Sequence, residues 1–198
     1  MARRRQAFGE GFALLAECLL TGVWLVLAAL PVVTLPAALS AAARHVAAYV
    51  DGESTGWGGF WADFRAAWRE SWRAGLALVG AGLLLTLNLM VLAQEGIPGR
   101  PGFALATFAV AGLAATVLLR AAAAWTPGVR WRGLLAEALD EARGDASGTG
   151  ILLGGVAVLV ACTWAMWLLI VPMSGCLIGA AVAVRRRRIA RDAEERRA

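Results

Sequence analysis

The sequence predicts an all-helical, polytopic membrane protein, and three properties of the chain predict it. Of its 198 residues, 60% are hydrophobic and only 17% are charged, whereas soluble domains carry about 25% charged residues. Several apolar runs reach the ~20 residues that a helix needs to cross a membrane. All 19 basic residues are arginine, and most of them flank these runs. We therefore expect the partner of these charges to be a lipid bilayer with anionic headgroups, and not nucleic acid.

Four apolar segments are long enough for complete crossings. They are Phe12–Leu30, Ala74–Ala93, Phe103–Ala124 and Gly150–Val171. Two shorter segments, Ala37–Val50 and Pro172–Val184, each follow a full span, begin at a proline break and end against arginine. Their length is about 20 Å as helices, which is short for a crossing. The chain is thus predicted to cross four to six times, and the alternative is that both short helices lie flat on the membrane.

The arginines beside the spans predict the orientation of the chain. The tail 1–11 carries three, residues 44–73 carry four, the connection 128–148 carries three and the tail 185–198 carries seven, whereas the link 94–102 carries one. We therefore expect one integral membrane domain, residues 1–198, with both tails and both long connections in the cytoplasm.

The stretch LPVVTLP, residues 30–36, is where the chain is predicted to turn back. Proline lacks a backbone N–H and disfavours helix in the residue before it. Pro31 and Pro36, with Thr34 between them, therefore mark a helix break, and Pro172 marks a second one. An unpaired backbone group in lipid costs several kcal/mol, so each turn should be buried in protein or reach the outer interface.

Residues 57–73 combine an aromatic face with an arginine face. At ~100° per residue, the aromatic residues share one helical sector and the arginines form the neighbouring stripe. The sector comprises Trp61, Phe64, Trp68 and Trp72, and the stripe comprises Arg65, Arg69 and Arg73. This pattern is typical of an interfacial helix, with rings at headgroup depth and guanidinium groups on lipid phosphate. The alternative is a docking surface for a partner protein.

Residues that could carry chemistry are few. His45 is the only histidine, so a three-histidine metal site is impossible, and the common nucleophile, zinc and phosphate-loop motifs are missing from the sequence. Glu17, Asn88 and Arg120 are polar residues within predicted spans, which makes them functional candidates. Glu17 and Arg120 both lie toward the cytoplasmic side, where they could pair. We expect no catalytic residue, no metal and no cofactor.

The order of features around the first proline break resembles the YesL family of bacterial membrane proteins, which is defined by sequence and has no assigned biochemical role. The shared features are a Pro-Val-Val-Thr segment at Pro31–Thr34, a small-residue helix with a basic end at Ala37–Arg44, an acidic turn at Asp51–Glu53 and an aromatic, basic helix at Phe60–Arg73. Leu35 departs from the family, which often has glycine at this position. The resemblance covers roughly residues 10–85.

The resemblance implies a multi-pass protein of the bacterial plasma membrane whose gene lies beside genes for carbohydrate uptake and polysaccharide degradation. It favours a non-enzymatic accessory or regulatory role in carbohydrate uptake, with a sugar-importer complex or a second copy of the chain as partner. The alternative is a small solute transporter or channel, because broken helices such as those predicted at Pro31–Pro36 and Pro172 often line substrate sites.

Overall fold

The computed structural model describes residues 2–53, 56–94 and 99–197, and it describes side chains from residue 13 onward. Within these residues the chain is helical throughout, with seven α-helices joined by short turns. They are α1 (Ala2–Ala28), α2 (Leu35–Val50), α3 (Trp57–Leu92), α4 (Arg100–Ala124), α5 (Trp131–Gly144), α6 (Ala146–Ala165) and α7 (Ile170–Glu195). Part of the predicted external link, residues 95–98, and the side chains of the predicted tail 1–11 lie outside the described residues.

Among the described residues, four helices are long and apolar enough to cross a membrane: α3, α4, α6, and α7 with the turn before it. Large apolar side chains remain exposed along these helices, among them Leu84, Leu105, Val110 and Trp164. A soluble protein rarely exposes so continuous an apolar surface, and lipid is the solvent that fits it. The prediction of an all-helical, multi-pass membrane protein is confirmed.

The structure changes the predicted bounds of the last two segments. Pro172–Val184 is part of α7, which is long enough to cross. The first predicted span, Phe12–Leu30, lies in α1, which ends at Ala28. Pro172 does not break a helix, because it is the third residue of α7, where a missing N–H removes no helical hydrogen bond. The break lies upstream, at the extended residue Met166. The predicted span Gly150–Val171 therefore ends early, with α6 at Ala165.

The short helix α2 lies at the centre of the bundle, in contact with α1, α3, α4 and α7. Alanines on different faces of α2 are almost fully buried: Ala37, Ala38, Ala41, Ala42 and Ala43. Small side chains let neighbouring backbones approach closely, as membrane helices require. α2 is therefore enclosed by other helices of the bundle.

Glycines mark the closest helix contacts around this centre. A Cβ atom at Gly22 of α1 would collide with the carbonyl of Val171, and one at Gly75 of α3 would collide with the carbonyl of Val33 in the α1–α2 turn. α3 then continues from Gly75 to Leu92, about 25 Å. The α1–α2 turn therefore lies well short of the far end of α3.

Candidate functional site

The turn between α1 and α2 is organised by Thr34. Its hydroxyl oxygen lies 2.6 Å from the carbonyl oxygens of both Ala28 and Pro31, which share its single proton. Ala28 O is one of the acceptors that lose their N–H partners when a helix ends, and the hydroxyl replaces that partner. Pro36 follows in the first turn of α2, where proline is tolerated. Leu35 has φ −52° and ψ −44°, so leucine in place of glycine causes no strain here.

Glu17 and His45 meet between α1 and α2. His45 Nε2 lies 2.6 Å from Glu17 Oε1, and the histidine side chain is buried. The ring of Trp24 packs against the imidazole with 4.9 Å between ring centroids. Glu17 thus joins two helices through His45, and the suggested pairing of Glu17 with Arg120 is wrong.

Arg120 is the centre of a polar cluster that joins the ends of α4, α5, α6 and α7. Its guanidinium lies 3.1 Å from the Asp145 carboxylate and 3.6 Å from the Glu141 carboxylate, and only 4% of its side chain is exposed. From α7, Arg188 reaches Glu141 at 3.2 Å and Arg191 reaches Asp145 at 4.0 Å. Sequence reasoning missed this cluster because its acids lie outside the spans, in the connection after α4.

Asp145 also caps the N-terminus of α6. Its carboxylate accepts a hydrogen bond from the backbone N–H of Gly148 at 3.1 Å. Burial alone would raise the pKa of this carboxyl, but the Gly148 N–H and the nearby guanidinium groups of Arg120 and Arg191 outweigh it, so the pKa lies below its ordinary value. The carboxylate is thereby held in its charged form.

Asn88 links α3 and α4 on the exposed side of the bundle. Its amide donates to the Thr107 hydroxyl at 2.7 Å, and this hydroxyl donates to the carbonyl of Phe103 at 2.8 Å. Hydrogen bonds of this kind are common between membrane helices. The structure therefore gives Asn88 a role in joining two helices.

The predicted interfacial segment, residues 57–73, is the first half of α3. Trp61, Phe64 and Trp68 are half-buried, and the rings of Trp24, Trp57, Trp61 and Phe64 pack in succession, mostly edge to face, at 5.1–5.3 Å between centroids. This ring series joins α3 to α1. Trp72 is 44% exposed, and the predicted arginine stripe, Arg65, Arg69 and Arg73, is also exposed.

Arginines at the end of α7 bring several helix ends together. Arg186 pairs with Asp51 after α2 at 2.7 Å, Arg188 pairs with Glu141 of α5, and Arg185 donates to the carbonyl of Ala123 in α4 at 2.9 Å. The ends of α2, α4, α5 and α7 therefore lie on one side of the bundle.

A cleft of about 650 Å³ lies between the middle of α3 and the start of α5. Its charged lining consists of Arg69, Glu70, Arg73, Arg130 and Arg132. Both carboxylate oxygens of Glu70 are engaged, one with Trp125 Nε1 at 2.8 Å and the other with the backbone N–H of Gly128 at 2.9 Å. Gly128 has φ +91°, which favours glycine. Glu70 thus fixes the turn that positions α5 beside α3.

A second cavity, of about 470 Å³, lies where α1, α2, α4, α6 and α7 meet. Its lining is aliphatic apart from Ser174, whose hydroxyl donates to the carbonyl of Val171 at 2.9 Å. In the described part of the chain, no group of three metal-ligating side chains comes together.

These features define a multi-pass α-helical membrane protein whose candidate polar residues join helices. A family model described as "Protein of unknown function, DUF624" matches residues 18–89. The matched segment runs from α1 through the Thr34 turn and α2 and includes nearly all of α3. The chain is similar to this family over that region. No curated protein and no solved structure matches the chain.

Proposed function

We propose that the chain is a non-enzymatic protein of the bacterial plasma membrane, of the YesL type, with an accessory or regulatory role in carbohydrate uptake. Both tails and the arginine-rich helix ends face the cytoplasm, in line with the positive-inside rule. The family resemblance supplies the link to carbohydrate uptake. The observation that carries the rest is the exposed start of α3 with Trp57 and Arg65, beside polar residues in the bundle that join helices.

The polar residues inside the bundle support an architectural use. Glu17 is bonded to His45, Asn88 to Thr107 and Arg120 to Asp145, and each pair joins two elements. Catalytic acids and bases instead need to reach a substrate atom. Because these polar side chains join helices instead, they support an accessory role over a catalytic one.

The proposed contact surface for a partner is the exposed start of α3. Trp57 is half-exposed and Arg65 is exposed on this segment. Tryptophan and arginine contribute most to binding energy in many protein interfaces. Acidic side chains on the cytoplasmic face of a sugar-importer complex would complement Arg65.

The alternative, a small solute transporter or channel, has less support from the cavities. The cavity beside both helix breaks is aliphatic apart from Ser174. A polar solute leaving water requires hydrogen-bonding groups along its path. The accessory role therefore fits this lining better.

A complementation experiment tests the proposal. In a strain without the gene, uptake of labelled sugar by the importer encoded nearby should fall, and the wild-type gene should restore it. Arg65→Glu should fail to restore uptake, whereas Arg143→Glu, at an exposed position on α5, should succeed, with equal amounts of both variants in the membrane. Unchanged uptake in the deletion strain would refute the accessory role.

A further inference from the structure

We infer that the cleft between α3 and α5 binds the phosphate headgroup of an anionic phospholipid. This site lies beyond the proposed function and does not include Arg65. The inference rests on the charge of the cleft, on the start of α5 and on the position of the cleft along α3.

The charge of the cleft favours an anion. Four arginines line it against one glutamate, and that glutamate is engaged by Trp125 and Gly128. Within the described ranges, these four arginines have no carboxylate partner within 4 Å, since every ion pair found there involves other residues. Guanidinium groups bind phosphate oxygens through paired, charge-assisted hydrogen bonds.

The start of α5 adds backbone donors to the same cleft. α5 begins at Trp131, and its cap residue Arg130 makes no capping hydrogen bond with its side chain. The first N–H groups of a helix have no i−4 partner within the helix; that of Gly133 bonds to Arg130 O at 3.1 Å, which leaves those of Trp131 and Arg132 to face the cleft that these residues line. Together with the helix dipole, they favour a bound anion.

The position of the cleft selects a lipid over a soluble anion. Arg73 ends the charged half of α3, and Ala74 and Ala77, which also line the cleft, begin its apolar half. Leu135 of α5 lies on the same side. A ligand with a charged headgroup and an apolar chain matches this change from arginine to aliphatic lining. Trp72, which is exposed beside the cleft, is of the residue type that is enriched at membrane interfaces.

Native mass spectrometry of the full chain in detergent can test this site with added phosphatidylglycerol or phosphatidylcholine. Wild type should retain phosphatidylglycerol, and Arg73→Gln/Arg130→Gln should bind it about tenfold more weakly. The matched control, Arg65→Gln/Arg143→Gln, removes the same charge from the same two helices and should bind as wild type does. Equal weakening in both double variants, or equal binding of the two lipids by wild type, would overturn the inference.

A further measurement tests the choice of a lipid over a soluble phosphate. Glycerol phosphate should compete poorly with short-chain phosphatidylglycerol. If it competes equally well, the cleft is a site for soluble phosphate, and the lipid assignment is wrong.

Discussion

Replacing Thr34 with valine tests the physical basis of the α1–α2 turn. Valine keeps the shape of threonine but removes the hydroxyl that donates to Ala28 and Pro31. Pro31 O still accepts the backbone N–H of Thr34 at 2.7 Å, so only Ala28 O loses its partner. An unsatisfied buried acceptor costs about 1–3 kcal/mol, and hydrogen bonds in membrane proteins contribute toward the lower end of such ranges. We expect Thr34→Val to lower the free energy of unfolding by about 1–2 kcal/mol.

Unfolding in mixed detergent micelles, followed by fluorescence of the nine tryptophans, measures this loss. The matched control is Ser40→Ala, because Ser40 is buried in the same hairpin and its hydroxyl donates to Pro36 O at 3.0 Å. Pro36 O also accepts a regular backbone bond within α2, so the control should cost less than about 0.5 kcal/mol. If the two variants unfold alike, the hydroxyl of Thr34 does not hold the turn.

Three other predictions use the same unfolding assay. Arg120→Met removes the buried partner of the half-buried carboxylates of Glu141 and Asp145 and should cost about 2–3 kcal/mol. Arg143→Met, at a side chain 71% exposed, should cost less than about 0.5 kcal/mol, and similar costs for the two variants would contradict the cluster. Folding lowers the pKa of Asp145, so the stabilisation from its carboxylate is present above the unfolded-state pKa and is lost as the pH falls through the folded-state pKa. The free energy of unfolding should therefore decrease below about pH 4. Asp145→Asn should reduce this pH dependence between pH 6 and pH 3, and an unchanged dependence would argue against a lowered pKa of Asp145. Gly75→Ala brings a methyl group against a carbonyl and should cost about 1–3 kcal/mol, whereas Gly82→Ala meets nothing within 4 Å and should be neutral or stabilising by up to about 1 kcal/mol; equal effects would exclude the close contact at Gly75.

The fold class and the first turn could be predicted because their signals are local. Long apolar runs indicate membrane helices from composition alone, and Pro31 does mark the end of a helix. The prediction for Pro172 was wrong because the effect of proline depends on its position within a helix. In the first turn of α7, Pro172 removes no helical hydrogen bond. The helical path is interrupted instead at Met166, whose backbone is extended.

The residue pairs could not be predicted because they depend on which helices are neighbours. Glu17 and Arg120 were both predicted to lie toward the cytoplasmic side. In the structure, however, Glu17 of α1 contacts His45 of α2, and Arg120 contacts the acids Glu141 and Asp145 near the α5–α6 connection. The central place of α2 was also missed. Its alanines give only a weak apolar signal, although their small size is what admits four neighbouring helices.

The proposed orientation places the arginine-rich helix ends on the cytoplasmic face of the membrane, which labelling can measure. Single cysteines at positions 65, 99, 143 and 187 of a chain without native cysteines can be labelled from either side of sealed vesicles with an impermeant maleimide. We expect labelling of 65, 143 and 187 from the cytoplasmic side alone, and of 99 from the outside alone. Labelling of 65 and 187 from opposite sides would contradict an arginine-rich cytoplasmic face built from α3, α5 and α7.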